Sequence, residues 1–304
     1  MAPLRIFQAD AFTSVAFTGN PAAICLLDNS GDASRPWPIS DDDMRNIAAE
    51  MNLSETAFVT PAEHGDWASS SRFLLRWFTP QVEVSLCGHA TLATAALLFF
   101  KLGNVSSKLV FSTMSGDLDA ERDGERGVAL TMPTFEVGPI DAAGLSSSEL
   151  SAILNAALGD AAASAPGNRV MYAASRKRIL VHLDDDVLGR KGLEALAPDH
   201  VAMKKVHDGS RVSSVTVTTR GGAAPYDFIS RHFSPWIGIP EDPVTGSAHS
   251  YISTYWRDVL KKKEFFARQA SKRGGDLQIT LLENDAMRIV GETVFVLSGE
   301  LNIN

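Results

Sequence analysis

The feature that most constrains the fold of this chain is an internal duplication. Three pairs of short segments recur in the same order and at nearly constant separation: RWFTP (76–80) and RHFSP (231–235), CGHA (87–90) and TGSA (245–248), SGDL (115–118) and GGDL (274–277). Recurrence in a fixed order is the signature of a repeated structural unit. We therefore predict two similar halves, each built from a strand, a glycine turn, a helix and a hairpin.

Strand patterns dominate the chain. Alternating β-branched and aromatic residues, bounded by Gly, Pro, Asp or Asn, predict strands over 5–12, 22–27, 57–60, 73–78, 109–113, 128–132, 179–183, 214–219, 226–233, 277–282 and 293–297. The segment HATLATAALLFFK after Gly88 is apolar on nearly every side, and such a helix is surrounded by protein. The sequence thus predicts an α+β fold in which each half curls a sheet around a central helix.

The predicted halves are residues 1–133 and 134–304, and the last strand is allowed to cross to the first half. Helices are also predicted from Ser40 to about Met51, after Ser146 with its capping-box pattern, over 185–196, and from Ser247. The segments 29–38 and 138–167 are interpreted as surface insertions.

Composition excludes several classes of protein. The chain has 304 residues, long enough for two domains, and a formal net charge of −8, which argues against a nucleic-acid partner. Its basic cluster, which begins at Lys261, is interpreted as complementing a helix C-terminus. The two cysteines, Cys25 and Cys87, fit a reducing compartment, and no apolar run is long enough for a signal peptide or a membrane span. We expect a cytoplasmic protein without a membrane partner.

The two glycine turns are the candidate binding site. Gly88 and Gly246 each precede a helix N-terminus, where free N–H groups and the helix dipole favour an anion. Duplication would bring both helix starts to one cleft between the halves, which suits a small carboxylate. Walker A, G-x-G-x-x-G, G-x-S-x-G, H-E-x-x-H and C-x-x-C patterns do not occur. We expect no metal and no cofactor, and we place most of the seven histidines on the surface or in loops.

Two further residues leave alternatives open. Cys87 precedes a helix N-terminus, which lowers a thiol pKa, but a plain buried cysteine fits the pattern as well; its counterpart is Thr245, so the halves do not supply a pair of thiols. Glu55 lies between a helix and an apolar strand, and the pattern alone favours a solvent-facing carboxylate. In a partly dry site it would become a usable general acid/base.

The motifs together resemble one known family. The segments DAFTSVAFTGNPAAICLL, MNLSETAF, RWFTPQVEVSLCGHATLA and EDPVTGSAH are similar to those of the PhzF family of phenazine biosynthesis-like isomerases, especially its animal members. The resemblance covers residues 10 to 249, and the GGDL hairpin extends it. It implies the diaminopimelate epimerase-like fold, with two pseudo-symmetric halves, and a homodimer.

The resemblance also implies roles for individual residues. The glutamate of NLSE corresponds to Glu55, the acid/base that moves a proton between two carbons of a small cyclic amino acid without a cofactor. His89, Asp242 and Ser247 correspond to residues that bind substrate and assist proton movement. Gly88, Cys87, Thr245 and Gly246 are expected to bind the substrate, and backbone N–H groups around Gly88, His89, Gly246 and Ser247 would hold its carboxylate.

Three functions remain open at this point. The first is an isomerase in which Glu55 serves both carbons from one face of the substrate. The second is a non-catalytic binding or interaction protein that retains the fold. The third is a racemase or epimerase that depends on Cys87, by analogy with relatives that use one cysteine from each half.

Overall fold

The computed structural model describes residues 3–28, 37–63, 65–222 and 225–303. It divides into two compact units, the first comprising 1–132 and 288–304 and the second 133–287. The predicted insertion 29–38 falls almost wholly outside the described residues.

Strands form most of the regular structure. In the first unit they are β1 Leu4–Ala11, β2 Asn20–Leu26, β3 Glu55–Pro61, β4 Arg72–Phe78, β5 Glu83–Val84, β6 Lys108–Thr113, β7 Gly116–Asp123 and β8 Gly127–Pro133. In the second they are β9 Gly138–Pro139, β10 Arg169–Ala173, β11 Arg178–His182, β12 Ser214–Arg220, β13 Phe228–Ser234, β14 Ile239–Asp242, β15 Glu264–Gln269 and β16 Gly275–Leu281. The last strand, β17 Ala286–Leu301, belongs to the first unit from Arg288 onward.

Seven α-helices accompany the described strands: α1 Asp41–Met51, α2 Gly88–Ala96, α3 Ser147–Leu158, α4 Asp160–Ala163, α5 Gly189–Ala195, α6 His200–Val206 and α7 Gly246–Leu260. Capping boxes start α1 at Ser40 with Asp43 and α3 at Ser146 with Glu149, as the sequence predicts. Helix α2 continues into a π-helical turn, Leu97–Lys101.

The strands of the first unit close into a ring around α2. They pair in the order β1-β2-β3-β4-β6-β7-β8-β17, and β17 returns to β1. Every residue of α2 is buried, as its apolar sequence predicts. A Cβ at Gly291 would lie 2.4 Å from the Phe12 ring and 3.3 Å from Leu92, so glycine allows β17 to approach the central helix. Helix α1 covers the outer face of the ring.

The second unit repeats the same pairings. Strands β11 and β12 are parallel, β12 and β13 antiparallel, β13 and β15 parallel, and β15 and β16 form a hairpin, as do the corresponding strands of the first unit. Helix α7 takes the place of α2, and its residues Gly246 and 248–256 are buried. The two units therefore share one topology.

Three sequence interpretations need correction here. Segment 138–167 is not a surface insertion, because α3 contributes Ile153, Leu154, Ala157 and Leu158 to the core of the second unit. The predicted helix 185–196 is shorter, since α5 starts only at Gly189. In the basic cluster only Lys261 ends α7, with a left-handed φ of 56°. Three others form ion pairs with carboxylates: Lys262 with Asp227, Lys263 with Glu283, and Arg268 with Asp276.

Candidate active site

The start of α2 and the start of β3 bring three chemically active side chains together in the first unit. Cys87 is the extended residue before α2, and Gly88 is the first helical residue. The Thr91 hydroxyl donates to the Cys87 carbonyl at 2.6 Å and fixes this turn. Glu55 is the first residue of β3, so its side chain lies at the end of the strand.

His89 lies at the centre of this cluster. Its Nδ1 is 3.4 Å from the Cys87 Sγ, and its Nε2 is 3.4 Å from the Ser54 Oγ and 3.5 Å from the Glu55 Oε2. The side chains of His89 and Glu55 are only 6% and 12% exposed. The interpretation of Glu55 as solvent-facing is therefore wrong. The sequence places Glu55 at the start of a strand, but in the folded unit β3 pairs with its neighbours and α2 packs beside it, and together they shield the carboxylate from solvent.

Burial keeps His89 neutral. It lowers the pKa of the imidazole to about 3, although a hydrogen bond with the Pro21 backbone opposes this effect. The contact with Glu55 is therefore one between a carboxyl group and a neutral imidazole at pH 7, rather than a salt bridge. A neutral ring can accept a proton at one nitrogen while it donates at the other.

Asp242 and Thr245 are joined in the second unit. The Thr245 hydroxyl donates to the Asp242 Oδ2 at 2.6 Å, and Gln269 binds both residues through its side-chain amide. Asp242 is 9% exposed and Thr245 7%. This network holds the Asp242 side chain in one orientation beside the start of α7.

Ser247 has a neighbour that the sequence analysis missed. The Arg178 Nη1 donates to the Ser247 Oγ at 3.2 Å, and the guanidinium lies 5.7 Å from the Tyr251 ring centroid. Among the described residues no acidic side chain forms an ion pair with Arg178, and its buried Nε has no hydrogen-bond partner. The local sequence SRKRILVHL offers no signal that separates Arg178 from the other basic residues beside it.

The pairing of residues between neighbouring strands identifies equivalent positions in the two units, including positions where the sequence shows no repeat. Arg76 and Arg231 are equivalent in the repeated motif, and they pair with Phe58 and Val217 of the preceding strands. Phe58 and Val217 are therefore equivalent positions, although the sequence around them shows no repeat.

Glu55 lies three residues before Phe58, and Ser214 lies three residues before Val217, so these two positions are equivalent. Because they differ, the second unit does not repeat the Glu55 site. The position of Glu55 in the first unit is taken by Ser214 in the second, and Thr245 replaces Cys87. Ala22 pairs with Glu55, whereas Arg178 pairs with Ser214, so the arginine also belongs to the second unit alone. The duplication preserves the backbone, and each unit carries its own chemistry.

The interpretation of most histidines as surface residues is wrong. Five are buried, namely His89, His182, His207, His232 and His249. Four of these five bond to a hydroxyl, a carboxylate or a backbone carbonyl. The hydroxyl partners of His89, His182 and His232 lie 35, 73 and 16 positions away in sequence. His64 lies outside the described residues.

These histidines predict a loss of stability in mild acid. In the unfolded chain each titrates near about pH 6.5, whereas burial lowers the pKa of His89 to about 3 and of His249 to about 4. Below pH 6.5 the unfolded state binds more protons, so the free energy of unfolding falls as pH drops and is fully recovered above that pH. Each histidine contributes at most about 1.4 kcal/mol per pH unit.

Urea unfolding between about pH 5 and pH 8 measures the free energy of unfolding as a function of pH. Ordinary carboxyl groups titrate below this range, so the histidines dominate the change. We expect a plateau above pH 6.5, a decline below it, and a shallower decline in His249→Asn. A free energy of unfolding that stays constant down to pH 5 would contradict neutral buried histidines.

Solved structures identify the fold. The chain is similar to a phenazine biosynthesis PhzC/PhzF protein from Clostridium difficile, with a TM-score of 0.79 and 32% identity over 99% of this chain and 100% of that one. It also resembles a predicted epimerase from Pseudomonas aeruginosa, with a TM-score of 0.70 and 20% identity over 99% and 100%. The fold is therefore the α+β diaminopimelate epimerase-like fold that the sequence resemblance implies.

Sequence comparison adds the family. The model of the phenazine biosynthesis-like protein family, PhzC-PhzF, matches residues 9–299. Phenazine biosynthesis-like domain-containing protein 1 from Mus musculus is 44% identical over 98% of this chain and 99% of its own length. An uncharacterized isomerase from Halalkalibacterium halodurans is 38% identical over 97% of each chain. The chain belongs to the phenazine biosynthesis-like (PhzC-PhzF) family.

Among the residues that the structure describes, no helix is both long enough and apolar enough to span a membrane.

Proposed function

We propose that this protein moves a proton within a small carboxylate-bearing substrate, with Glu55 as the single acid/base. The observation that supports this most is the asymmetry between the two units. Glu55 lies 3.5 Å from the neutral His89, whereas the equivalent position of the second unit holds Ser214. One mostly buried carboxylate favours a one-base reaction over an exchange between two opposed bases.

The proposed reaction needs no net oxidation. The Glu55 carboxylate accepts a proton from a substrate carbon next to a C=C double bond, the electron pair of the broken C–H bond forms a new double bond, and the original π pair moves to the far carbon. Glu55 then returns the proton to a second carbon on the same face. The Glu55 side chain keeps 12% of its surface exposed, so the proton it has taken can exchange with solvent before it is returned, and His89 can hydrogen-bond the carboxyl group in either state.

The screen for this activity uses deuterium. Carboxylate-bearing cyclic amino acids are incubated with the protein in D₂O, and NMR detects deuterium at carbon. We expect incorporation at one or two carbons of an accepted substrate. A panel in which ligands bind without any exchange would instead support the non-catalytic binding protein.

A Cys87-dependent reaction is the second candidate, favoured by one contact. The Cys87 Sγ lies 3.4 Å from the His89 Nδ1, within hydrogen-bond distance of the imidazole. The equivalent residue Thr245 cannot serve as a second thiol, which weakens this candidate.

Recognition of the substrate carboxylate is proposed for the second unit. Ser247 and the first N–H groups of α7 offer neutral donors, and Arg178 adds a positive charge without an acidic partner among the described residues. Asp242 and Ser247 stay the predicted substrate-binding residues from the family resemblance.

Arg178→Met tests this role. A charged hydrogen bond contributes about 1.5 to 3 kcal/mol, so we expect KM to rise about 10- to 100-fold while kcat changes less. Arg190→Met is the control, because Arg190 contacts Glu194 in an exposed ion pair and the Tyr226 ring, neither of which belongs to the proposed site, and its KM should be unchanged. Equal KM values for the two variants would remove Arg178 from substrate binding.

The homodimer and the cytoplasmic location remain proposals from the sequence. Light scattering of the purified protein tests the first, and imaging of the tagged chain tests the second.

A further inference from the structure

The cluster at the start of α2 has a donor set that its proposed acid/base role does not explain. One atom each from Glu55, Cys87 and His89 lies within 4.8 Å of the others. Proton transfer through a carboxylate needs no sulfur ligand, whereas a thiolate, an imidazole and a carboxylate are together a ligand set of Zn²⁺. We propose that these three side chains bind a zinc ion, and that bound zinc inhibits the enzyme.

The distances suit zinc. Bonds of about 2.3 Å to sulfur and about 2.0 to 2.1 Å to nitrogen or oxygen place neighbouring ligand atoms of a tetrahedral site about 3.3 to 3.6 Å apart. The Cys87 Sγ to His89 Nδ1 distance is 3.4 Å, and the His89 Nε2 to Glu55 Oε2 distance is 3.5 Å. A zinc ion takes only one imidazole nitrogen, so zinc bound by Cys87 and the His89 Nδ1 requires the Glu55 carboxylate to rotate toward it, and the three ligand atoms already lie within 4.8 Å of one another.

Burial also favours binding. Cys87 and His89 are each 5% exposed, so the packing of α2 holds these two ligands in place.

Three protein ligands leave the fourth position of zinc open to water or substrate. Inhibition follows because the ion occupies the carboxylate that accepts the substrate proton. This second part of the inference rests on the proposed function of Glu55, whereas the binding of zinc does not.

Cobalt is the probe for the site. Protein treated with a chelator is titrated with Co²⁺, and a thiolate-to-cobalt charge-transfer band is followed in the near ultraviolet. We expect the band to saturate at one equivalent and to disappear when Zn²⁺, but not Mg²⁺, is added. Cys87→Ser should lack the band. Cys25→Ala should keep it, since Cys25 is buried in the separate core under α1.

Two further variants test the remaining ligands. Removing a residue that only hydrogen-bonds a metal ligand lowers metal affinity about 10- to 100-fold. Glu55→Gln and His89→Asn remove a ligand itself, so each should weaken zinc binding by at least that factor. Far-ultraviolet circular dichroism confirms that each variant is folded. The absence of a band in the native protein, its persistence in Cys87→Ser, or its loss in Cys25→Ala would overturn the site.

Inhibition has its own readout. Stoichiometric Zn²⁺ should stop deuterium exchange in the native protein, and a chelator should restore it. Exchange that continues with zinc bound would refute inhibition. A zinc-binding protein that exchanges no substrate even after chelation would refute the proposed reaction and leave the zinc site intact.

Discussion

Glu55→Gln is expected to lower the rate of deuterium incorporation about 10²- to 10⁴-fold, with little change in substrate affinity. General acid/base catalysis by one positioned side chain typically contributes this much. Glutamine keeps the size of the side chain and its place beside His89, but it has no carboxylate to accept the proton. NMR of the accepted substrate in D₂O measures the effect.

Two comparisons make this result specific. Glu50→Gln removes an exposed carboxylate at the end of α1 and should exchange at the native rate. Cys87→Ser should retain most of the exchange. If Cys87→Ser abolishes exchange while Glu55→Gln does not, the thiol is the base and the one-carboxylate mechanism is wrong.

Arg231→Met is expected to destabilise the second unit by about 3 to 5 kcal/mol. Arg231 is 8% exposed, and its guanidinium binds both oxygens of Glu241 at 2.7 and 2.9 Å. It also donates to the carbonyls of Leu193 and Leu196 at 3.2 and 2.7 Å. Methionine would leave a mostly buried carboxylate and two carbonyls without their donor, and the loss of one partner from a buried ion pair costs this much.

Urea unfolding gives the free energy, and the equivalent arginine provides the comparison. Arg76 makes the same two-oxygen contact with Glu83, but its side chain is 17% exposed and it also reaches the exposed Asp41. Arg76→Met should therefore cost less. The double variant Arg231→Met with Glu241→Met should recover part of the loss, because no unpaired charge remains. A single variant as stable as the native protein would show that Arg231 is not structurally important.

These two arginines show what a repeat in sequence means. The motif R-x-F-[ST]-P recurs because each unit uses its arginine to tie a strand to the next segment, not because the arginine reacts. The sequence therefore reveals scaffold positions that both units must keep. Positions that have diverged, such as Glu55 and Ser214, leave no repeat, and only strand register shows that they are equivalent.

Local patterns predicted the regular elements well. Hydrophobic alternation predicted strands that the structure confirms within two residues at each end, except that β17 runs from Ala286 to Leu301 where 293–297 was predicted. Capping residues predicted the starts of α1 and α3. Six of the described strands were missed: β5, β7, β9, β10, β14 and β15. Strands β5, β9 and β14 have only two to four residues and carry no periodic signal, whereas β7, β10 and β15 are long enough to carry one and were still not recognised. Helix α3 was predicted, but its place in the core was not, because the sequence does not show which strands pack against its apolar face.

What the sequence determined by itself is the duplication, the fold of each unit and the family, since these depend on residue patterns along the chain. The candidate residues Glu55, His89 and Cys87 also come from sequence motifs. The tertiary structure alone decided their environment: Glu55 is mostly shielded instead of solvent-facing, His89 is neutral, and Arg178 lies beside Ser247. Burial, pKa and ligand distances depend on side chains from strands and helices far apart in sequence, so no local pattern can encode them.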